Sequence, residues 1–457
     1  MQMNLFHHRK YLAALLILFS TAILFRAETW EIFAQSTFSS ATEFPRIPLD
    51  FEDFNADIKK SGLDVAFQDK SKLTINWALQ NSLDHFLKTQ GNHIGAAVVI
   101  ETATGNVLAL AQGRLPKMWL ANSHTSLYPN FPAASLFKTV SAAAAFEEAY
   151  FSSNQRITLP TGCQHLRENG AWWQELTGPK NIYQLTLKEA FGESCNGYFA
   201  KLGINHLGLD LINKYAQRFK WGQRVPADFT TYASPIEMPN PLTTSMQVAG
   251  RYAAGFGNVG LSAVHAAWIY LALANQGQAK PLQIFTNTPQ KNSSNINAIE
   301  QIVKPETSVQ LREIMAATVQ GGTANGAFGS KKYRHLKQRV GGKTGTLTGQ
   351  NPLGLTTWFV GMMPLDKPEV VVATVSVTED RWVVKAPHIA AEAFLQYELT
   401  KAPRQANLPA AGQGTLELDG KSAGANKNPF SSDSQNDSTL LERQLGALER
   451  QLSALKP

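Results

Sequence analysis

Between Ala96 and Ala111 the chain reads AAVVIETATGNVLALA. Two apolar runs, Ala96–Glu101 and Asn106–Ala111, meet around Thr104-Gly105, a pattern that predicts a β-hairpin. A lone hairpin is marginal in water and must find more strands or a helix. Three further β-rich runs occur, but only towards the other end: Val340–Leu347, Thr357–Met362 and Val370–Val377. What lies between reads as helix. Ser135–Tyr150 (SLFKTVSAAAAFEEAY) is rich in Ala with no breaker. Thr186-Leu187-Lys188-Glu189 has the form of a capping box, and Ala263–Asn275 is closed by Gly277. Outside the strands, Thr74–Lys88 carries Ile75, Leu79, Leu83 and Leu87 at a spacing of four, and Ala386–Leu399 reads as a closing helix. The expected domain is α+β: one sheet assembled from both ends, with an all-helical middle inserted and helices against it.

The 457 residues around this core carry a net charge of +7. Arg9, Lys10 and Arg26 supply +3 of it, and residues 401–457 supply +1 from seven basic and six acidic side chains. Residues 28–400 are left with +3, from 32 basic and 29 acidic side chains. The one short basic cluster, Lys331-Lys332-Tyr333-Arg334, reads as a solvated turn, so nucleic-acid binding is disfavoured.

Tyr11–Phe25 runs 15 residues without a charge. As a helix it spans about 22 Å, short of a full bilayer core, but Lys10 and Arg26 can snorkel. A signal peptide fits equally in length, yet neither Phe25-Arg26-Ala27 nor Ile32-Phe33-Ala34 is a good cleavage site. Residues 1–27 are therefore expected to be an uncleaved membrane anchor, with a signal segment as the alternative. Either places the rest of the chain beyond the cytoplasmic membrane, on its outer, periplasmic face. Residues 28–72 read as a short stalk and 73–400 as the folded domain. Residues 401–437, poor in large apolar side chains, read as a flexible linker. In 438–457 the tandem heptads LERQLGA and LERQLSA place Leu441, Leu445, Leu448, Leu452 and Leu455 on a coiled-coil seam. Two heptads alone do not hold a helix in water, so the segment either docks on a partner or a second copy, or stays a frayed amphipathic tail. Cys163 and Cys195 form one disulfide or remain two buried thiols; spacing does not decide.

Three short patterns carry the chemistry: Ser135-Leu136-Phe137-Lys138, Ser194-Cys195-Asn196, and Lys343-Thr344-Gly345 followed by Thr346. Alone they are weak. S-x-x-K recurs at Ser453–Lys456 and S-x-N at Ser152, Ser293 and Ser434, and a given tripeptide turns up by chance in roughly one chain in ten of this length. Context strengthens them. Ser135 opens a long apolar helix, near the positive end of its dipole, with Lys138 one turn on along the same face. Ser194-Cys195-Asn196 falls in a loop after a capped helix. Lys343 lies in a β-run, where it should point away from Thr344 and Thr346 unless the strand bends. The bland readings are a helix N-cap for Ser135, a surface Lys138, a loop Asn196 and an edge-strand Lys343.

In this order the three motifs resemble those of the penicillin-binding transpeptidases and the related serine β-lactamases. Ala96–Ala111 is similar to the family's opening strand pair. Gly321-Gly322-Thr323-Ala324, Val340–Thr346 and Trp358-Phe359-Val360-Gly361 resemble its closing sheet. The resemblance covers residues 73–398 and implies a five-stranded antiparallel sheet with a helical subdomain inserted. Two features depart from it: only about 45 residues separate the anchor from the domain, and a Thr-Pro pair common in the family is missing around Ala263-Val264-His265.

The resemblance implies a peptidoglycan D,D-transpeptidase acting on stem peptides ending in D-Ala-D-Ala, and inactivated by β-lactams. Ser135 would be the nucleophile and Lys138 its base, its pKa lowered by burial and by Lys343 nearby. Ser194 would relay a proton to the leaving amine and Asn196 would bind the substrate amide. Lys343, Thr344 and Thr346, beside Gly345, would hold the terminal carboxylate, and the N–H groups of Ser135 and Thr346 would form the oxyanion hole. No cofactor or metal is required. Water as acceptor would make the enzyme a carboxypeptidase. The rivals are a β-lactamase, a membrane-anchored sensor of β-lactams or muropeptides, and an interaction protein recruited through 438–457.

Overall fold

The computed structural model describes residues 72–401 apart from 91–93, 114–123, 160–162, 164–165, 167–182, 287–298, 351 and 379–383. All described residues belong to one unit, Met1–Pro403. The second unit, Arg404–Pro457, lies outside them, as do residues 1–71 and 402–403; the anchor and heptad readings fall there, with all of the stalk but Lys72 and all of the linker but Lys401, which ends the closing helix. No helix among the described residues is long and apolar enough to cross a membrane.

The first helix, α1 (Trp77–Thr89), starts later than the leucine spacing implied. The Thr74 hydroxyl donates to the Val107 carbonyl at 2.8 Å, and Asn76 caps the helix through its side chain to the Leu79 N–H. Leu79, Leu83 and Leu87 are fully buried, as their spacing predicts. The hairpin forms as β1 (Ile94–Glu101) and β2 (Val107–Gln112), and the late runs become β3 (Gly341–Gln350), β4 (Leu353–Met363) and β5 (Val370–Thr378). They make one five-stranded sheet in the order β2-β1-β5-β4-β3, antiparallel throughout. Val98 lies opposite Ala373, and Ala373 opposite Val360, so strands from the two ends of the domain meet at the sheet centre. β3 is an edge strand.

The sheet is covered on both faces, and strand alternation sorts its side chains between two cores. On β5, Val371, Ala373, Val375 and Val377 join the core beneath the inserted helices. Val370 and Val372 join a second core with α1 and with α7 (Ala386–Lys401), where Ile389 and Phe394 are buried. Each such Val or Leu contributes about 1.5–3 kcal/mol on burial. Double coverage explains why β5 opens on an apolar run, Val370–Ala373, and why the hydroxyls of its buried Thr374 and Ser376 are bonded to the Ala386 and Val384 carbonyls.

The insert between β2 and β3 holds α2 (Lys138–Glu148), α3 (Leu187–Gly192), α4 (Asn196–Leu202), α5 (Ala263–Ala274) and α6 (Pro305–Gln320). It is mainly helical but carries three two-stranded ribbons as well, 131–132 with 260–261, 156–159 with 183–186, and 278–279 with 300–301. The capping box at Thr186 and Glu189 forms in both directions. Where the Thr-Pro pair is missing, Ser262 caps α5 through the His265 N–H. His265 is a core residue: its ring nitrogens meet Ser234 Oγ and the Phe219 carbonyl, both at 2.7 Å, and burial lowers its pKa to about 4. The Lys331–Arg334 turn forms, though Tyr333 is buried and Lys332 pairs with Glu392. Gly321–Ala324 is not part of the sheet; it is the turn that follows α6.

Candidate active site

Ser135 does not open a regular helix. Ala134–Phe137 form a 3-10 turn, and α2 begins at Lys138. Ala134, just before the serine, has φ +50°, a left-handed conformation that costs about 1 kcal/mol in a residue with a Cβ. Its neighbours hold it there. The Trp358 indole of β4 donates to the Pro132 carbonyl at 2.8 Å, fastening the turn to the sheet. Gly255, at φ +92°, passes so close that a Cβ there would stand 2.2 Å from the Ala134 carbonyl oxygen. Gly345 of β3 is crowded too, with 3.3 Å between a would-be Cβ and the Ala133 oxygen. The third residue of the Lys-Thr-Gly triplet thus leaves clearance for the turn that carries Ser135.

Lys138 is fully buried beneath this turn. Its Nζ lies 2.6 Å from Ser135 Oγ, 2.8 Å from Asn196 Oδ1 and 2.7 Å from the Ala254 carbonyl. Burial, and secondly the nearby Lys343, hold its pKa well below the usual lysine value. A neutral amine has two N–H donors and one lone pair. Asn196 Oδ1 and the Ala254 carbonyl can only accept, so they take the two donors and leave the lone pair aimed at the Ser135 hydroxyl.

Lys343 is likewise fully buried, and desolvation lowers its pKa to about 7. It donates to Ser194 Oγ at 2.8 Å and to the Thr344 carbonyl at 3.0 Å, over the ring of Phe191. Lys343 stands opposite Val360 and Thr344 opposite Phe359, so the two side chains do leave opposite faces of the strand. Both still reach the site, because β3 is an edge strand and, among the described residues, no strand pairs with it on the cleft side. The Thr344 hydroxyl bonds that of Thr323, from the turn after α6.

Asn196 is not in a loop but is the first residue of α4. Ser194 has φ +58°, and the middle residue of its motif, Cys195, is disulfide-bonded to Cys163, with Cα atoms 4.6 Å apart. The open question about the two cysteines is answered by a bridge anchored inside the S-x-N triplet. Ser135, Ser194, Asn196, Thr344, Gly345 and Thr346 all line one cleft of about 310 Å³. Lys138 and Lys343 lie beneath it, and all eight residues singled out in the sequence are thus brought together. Gly255, Thr323 and the Ala254 carbonyl were not foreseen. Gly255 and the Ala254 carbonyl act through backbone position, which no short pattern announces; Thr323 lies in the Gly321–Ala324 stretch that resembles the family, but nothing there pointed to its hydroxyl as a partner of Thr344. Glu193, Phe256 and Lys385 on the cleft wall were also missed.

A family model described as penicillin binding protein transpeptidase domain matches residues 95–396, and the chain belongs to that family. Among curated relatives, the Peptidoglycan D,D-transpeptidase PbpA of Mycolicibacterium smegmatis is 24% identical over 341 residues, 65% of this chain and 63% of the relative. Stage V sporulation protein D of Bacillus subtilis is 26% identical over 340 residues, 68% of this chain and 49% of the relative. The chain thus spans about half to two thirds of these relatives. Among solved structures, the apo transpeptidase domain of Burkholderia pseudomallei penicillin-binding protein 3 has a TM-score of 0.58 at 22% identity, covering 74% of this chain and 98% of that one. The D,D-transpeptidase domain of an Eggerthella lenta peptidoglycan glycosyltransferase has a TM-score of 0.58 at 23% identity, covering 72% and 83%. These structures share the fold.

Proposed function

We propose that the protein is a serine D,D-transpeptidase that cross-links peptidoglycan stems, and that β-lactams acylate it at Ser135. One observation carries this reading: Nζ of the buried Lys138, its pKa held well below the usual lysine value, lies 2.6 Å from Ser135 Oγ. Lys138 takes the hydroxyl proton as Oγ attacks the carbonyl of the penultimate D-alanine. Positioned proton transfer of this kind is worth about 10²–10⁴-fold in rate. The backbone N–H groups of Ser135 and Thr346 hold the developing oxyanion, each donor worth about 3–4 kcal/mol. As the C–N bond breaks, a proton reaches the leaving amine through Ser194, whose oxygen is tied to Lys343. D-alanine departs, leaving an ester on Ser135. An amine of a neighbouring stem then attacks, forms the new amide and returns the proton to Oγ.

The substrate's terminal carboxylate binds to protonated Lys343, Thr344 and Thr346, and its amide to Asn196. Penicillin presents a carboxylate and an acyl carbonyl to the same groups. The relatives named as peptidoglycan D,D-transpeptidases support this reading, as does the family. Residues 1–27 anchor the chain in the cytoplasmic membrane, and residues 73–400 work on its outer face. Residues 28–72 and 401–437 serve as stalk and linker, and 438–457 dock on a partner or a second copy. Incubation with a D-Ala-D-Ala peptide and an amine acceptor tests the reaction. Release of D-alanine with formation of the cross-amide is expected; hydrolysis alone, whatever the amine concentration, makes the protein a carboxypeptidase.

A further inference from the structure

Glu193 lines the cleft together with Ser194 and Ser135, yet nothing in the acylation chemistry uses it. It is exposed and stands at the end of α3, immediately before the S-x-N triplet. The Tyr183 hydroxyl donates to its Oε2 at 3.3 Å, which fixes the carboxylate without neutralising it. Among the described residues no ion pair involves Glu193. The other charged residue lining the cleft is Lys385, next to α7, whose first N–H is bonded to Thr357 of β4; Lys385 therefore belongs to the sheet wall and Glu193 to the insert wall.

We propose that Glu193 draws a cationic amine to the acyl-enzyme, and so sets how acyl-Ser135 divides between aminolysis and hydrolysis. The inference rests on the transpeptidase reading. The attacking amine must occupy the place the leaving amine vacated, because the two steps are the same reaction in opposite directions. That place is beside Ser194 Oγ, in the cleft whose wall Glu193 also lines. An acceptor amine arrives as an ammonium ion, whereas water is neutral, so a carboxylate at this point enriches only the amine. The ammonium sheds one proton to solvent, and its nitrogen forms the C–N bond to the acyl carbon. The second proton leaves through Ser194 as the tetrahedral centre collapses. The C–O bond to Ser135 breaks, and Oγ regains a proton from Lys138.

The test uses the full chain, a D-Ala-D-Ala peptide donor and two acceptors near pH 7: D-alaninamide, largely cationic, and hydroxylamine, largely neutral. The readout is the ratio of aminolysis to hydrolysis, so a variant that acylates slowly still reports. Glu193→Gln should lower the ratio for D-alaninamide by about two- to fivefold and leave that for hydroxylamine unchanged, the size expected of one exposed charge pair. Salt should bring the wild type down to the Gln variant. Glu193→Asp, which keeps the charge, should stay close to wild type. An unchanged D-alaninamide ratio in Glu193→Gln, an equal fall for both acceptors, or an equal loss in Glu193→Asp overturns the proposal. A Ser135 adduct with any of those results leaves the transpeptidase reading standing; no adduct at all sinks both.

Discussion

At the scale of single residues, the proposed reaction asks two buried lysines to differ in charge. In that proposal Lys138 is neutral to accept the serine proton, and Lys343 is protonated to hold a carboxylate. Each is surrounded by neutral partners rather than by an acid, so burial lowers both pKa values, and the charge of Lys343 lowers that of Lys138 further. Lys138→Arg keeps a long basic side chain but stays protonated and cannot take up the serine proton, and should lower the rate of penicillin acylation by about 10³-fold. Stopped-flow acylation checks this; a rate within about threefold of wild type would remove Lys138 as the base. The same assay against pH reads Lys343. Its protonated form is lost as pH rises through about 7, so affinity for a carboxylate-bearing β-lactam should fall above that value. Lys343→Gln should abolish this limb. A profile still climbing smoothly to pH 9 would contradict the assignment.

At the scale of elements, the working parts are turns held in conformations their sequences resist. Ala134 and Ser194 both have positive φ without being glycine, and each flanks or forms part of a motif. Gly255 lets the chain pass under Ala134, so Gly255→Ala meets both a left-handed φ and a backbone oxygen. We expect a loss of about 2–4 kcal/mol in unfolding free energy, with acylation impaired, as measured by denaturant titration and penicillin binding. The disulfide secures the Ser194 turn by closing a loop with a sequence separation of 32, worth about 3–4 kcal/mol by chain entropy. Cys163→Ser with Cys195→Ser should lower the melting temperature, and reductant should do the same to the wild type alone. Equal melting curves would show that the bridge has no such role. The helices with a cap or a clean apolar spacing were legible beforehand: α1 through its leucines, α3 through its capping box. The 3-10 turn at Ser135 was not, because tertiary contacts from Gly255 and Trp358 impose it. Asn196 was misplaced in a loop because its N-cap, Cys195, offers no capping side chain to signal a helix start.

At the scale of the whole domain, the sheet joins its first and last strands, and the cleft lies where the edge strand meets the insert. The sequence pattern of two strands, a helical middle and three strands made that architecture readable, since five short apolar runs leave few other ways to bury themselves. What it hid were the small ribbons of the insert, too short for any periodicity, and residues such as Thr323 that reach the cleft only through the turn after α6. The opposition of Lys343 and Thr344 on their strand looked like an obstacle until β3 proved to be an edge. The central claim is that Ser135, activated by Lys138, forms a covalent acyl-enzyme. Labelling with a fluorescent penicillin, wild type beside Ser135→Ala, tests it most directly. The wild type should carry one adduct, mapped by mass spectrometry to the Ser135 peptide, and the Ala variant none. A wild type without label, or a Ser135→Ala protein labelled as well as wild type, would contradict it.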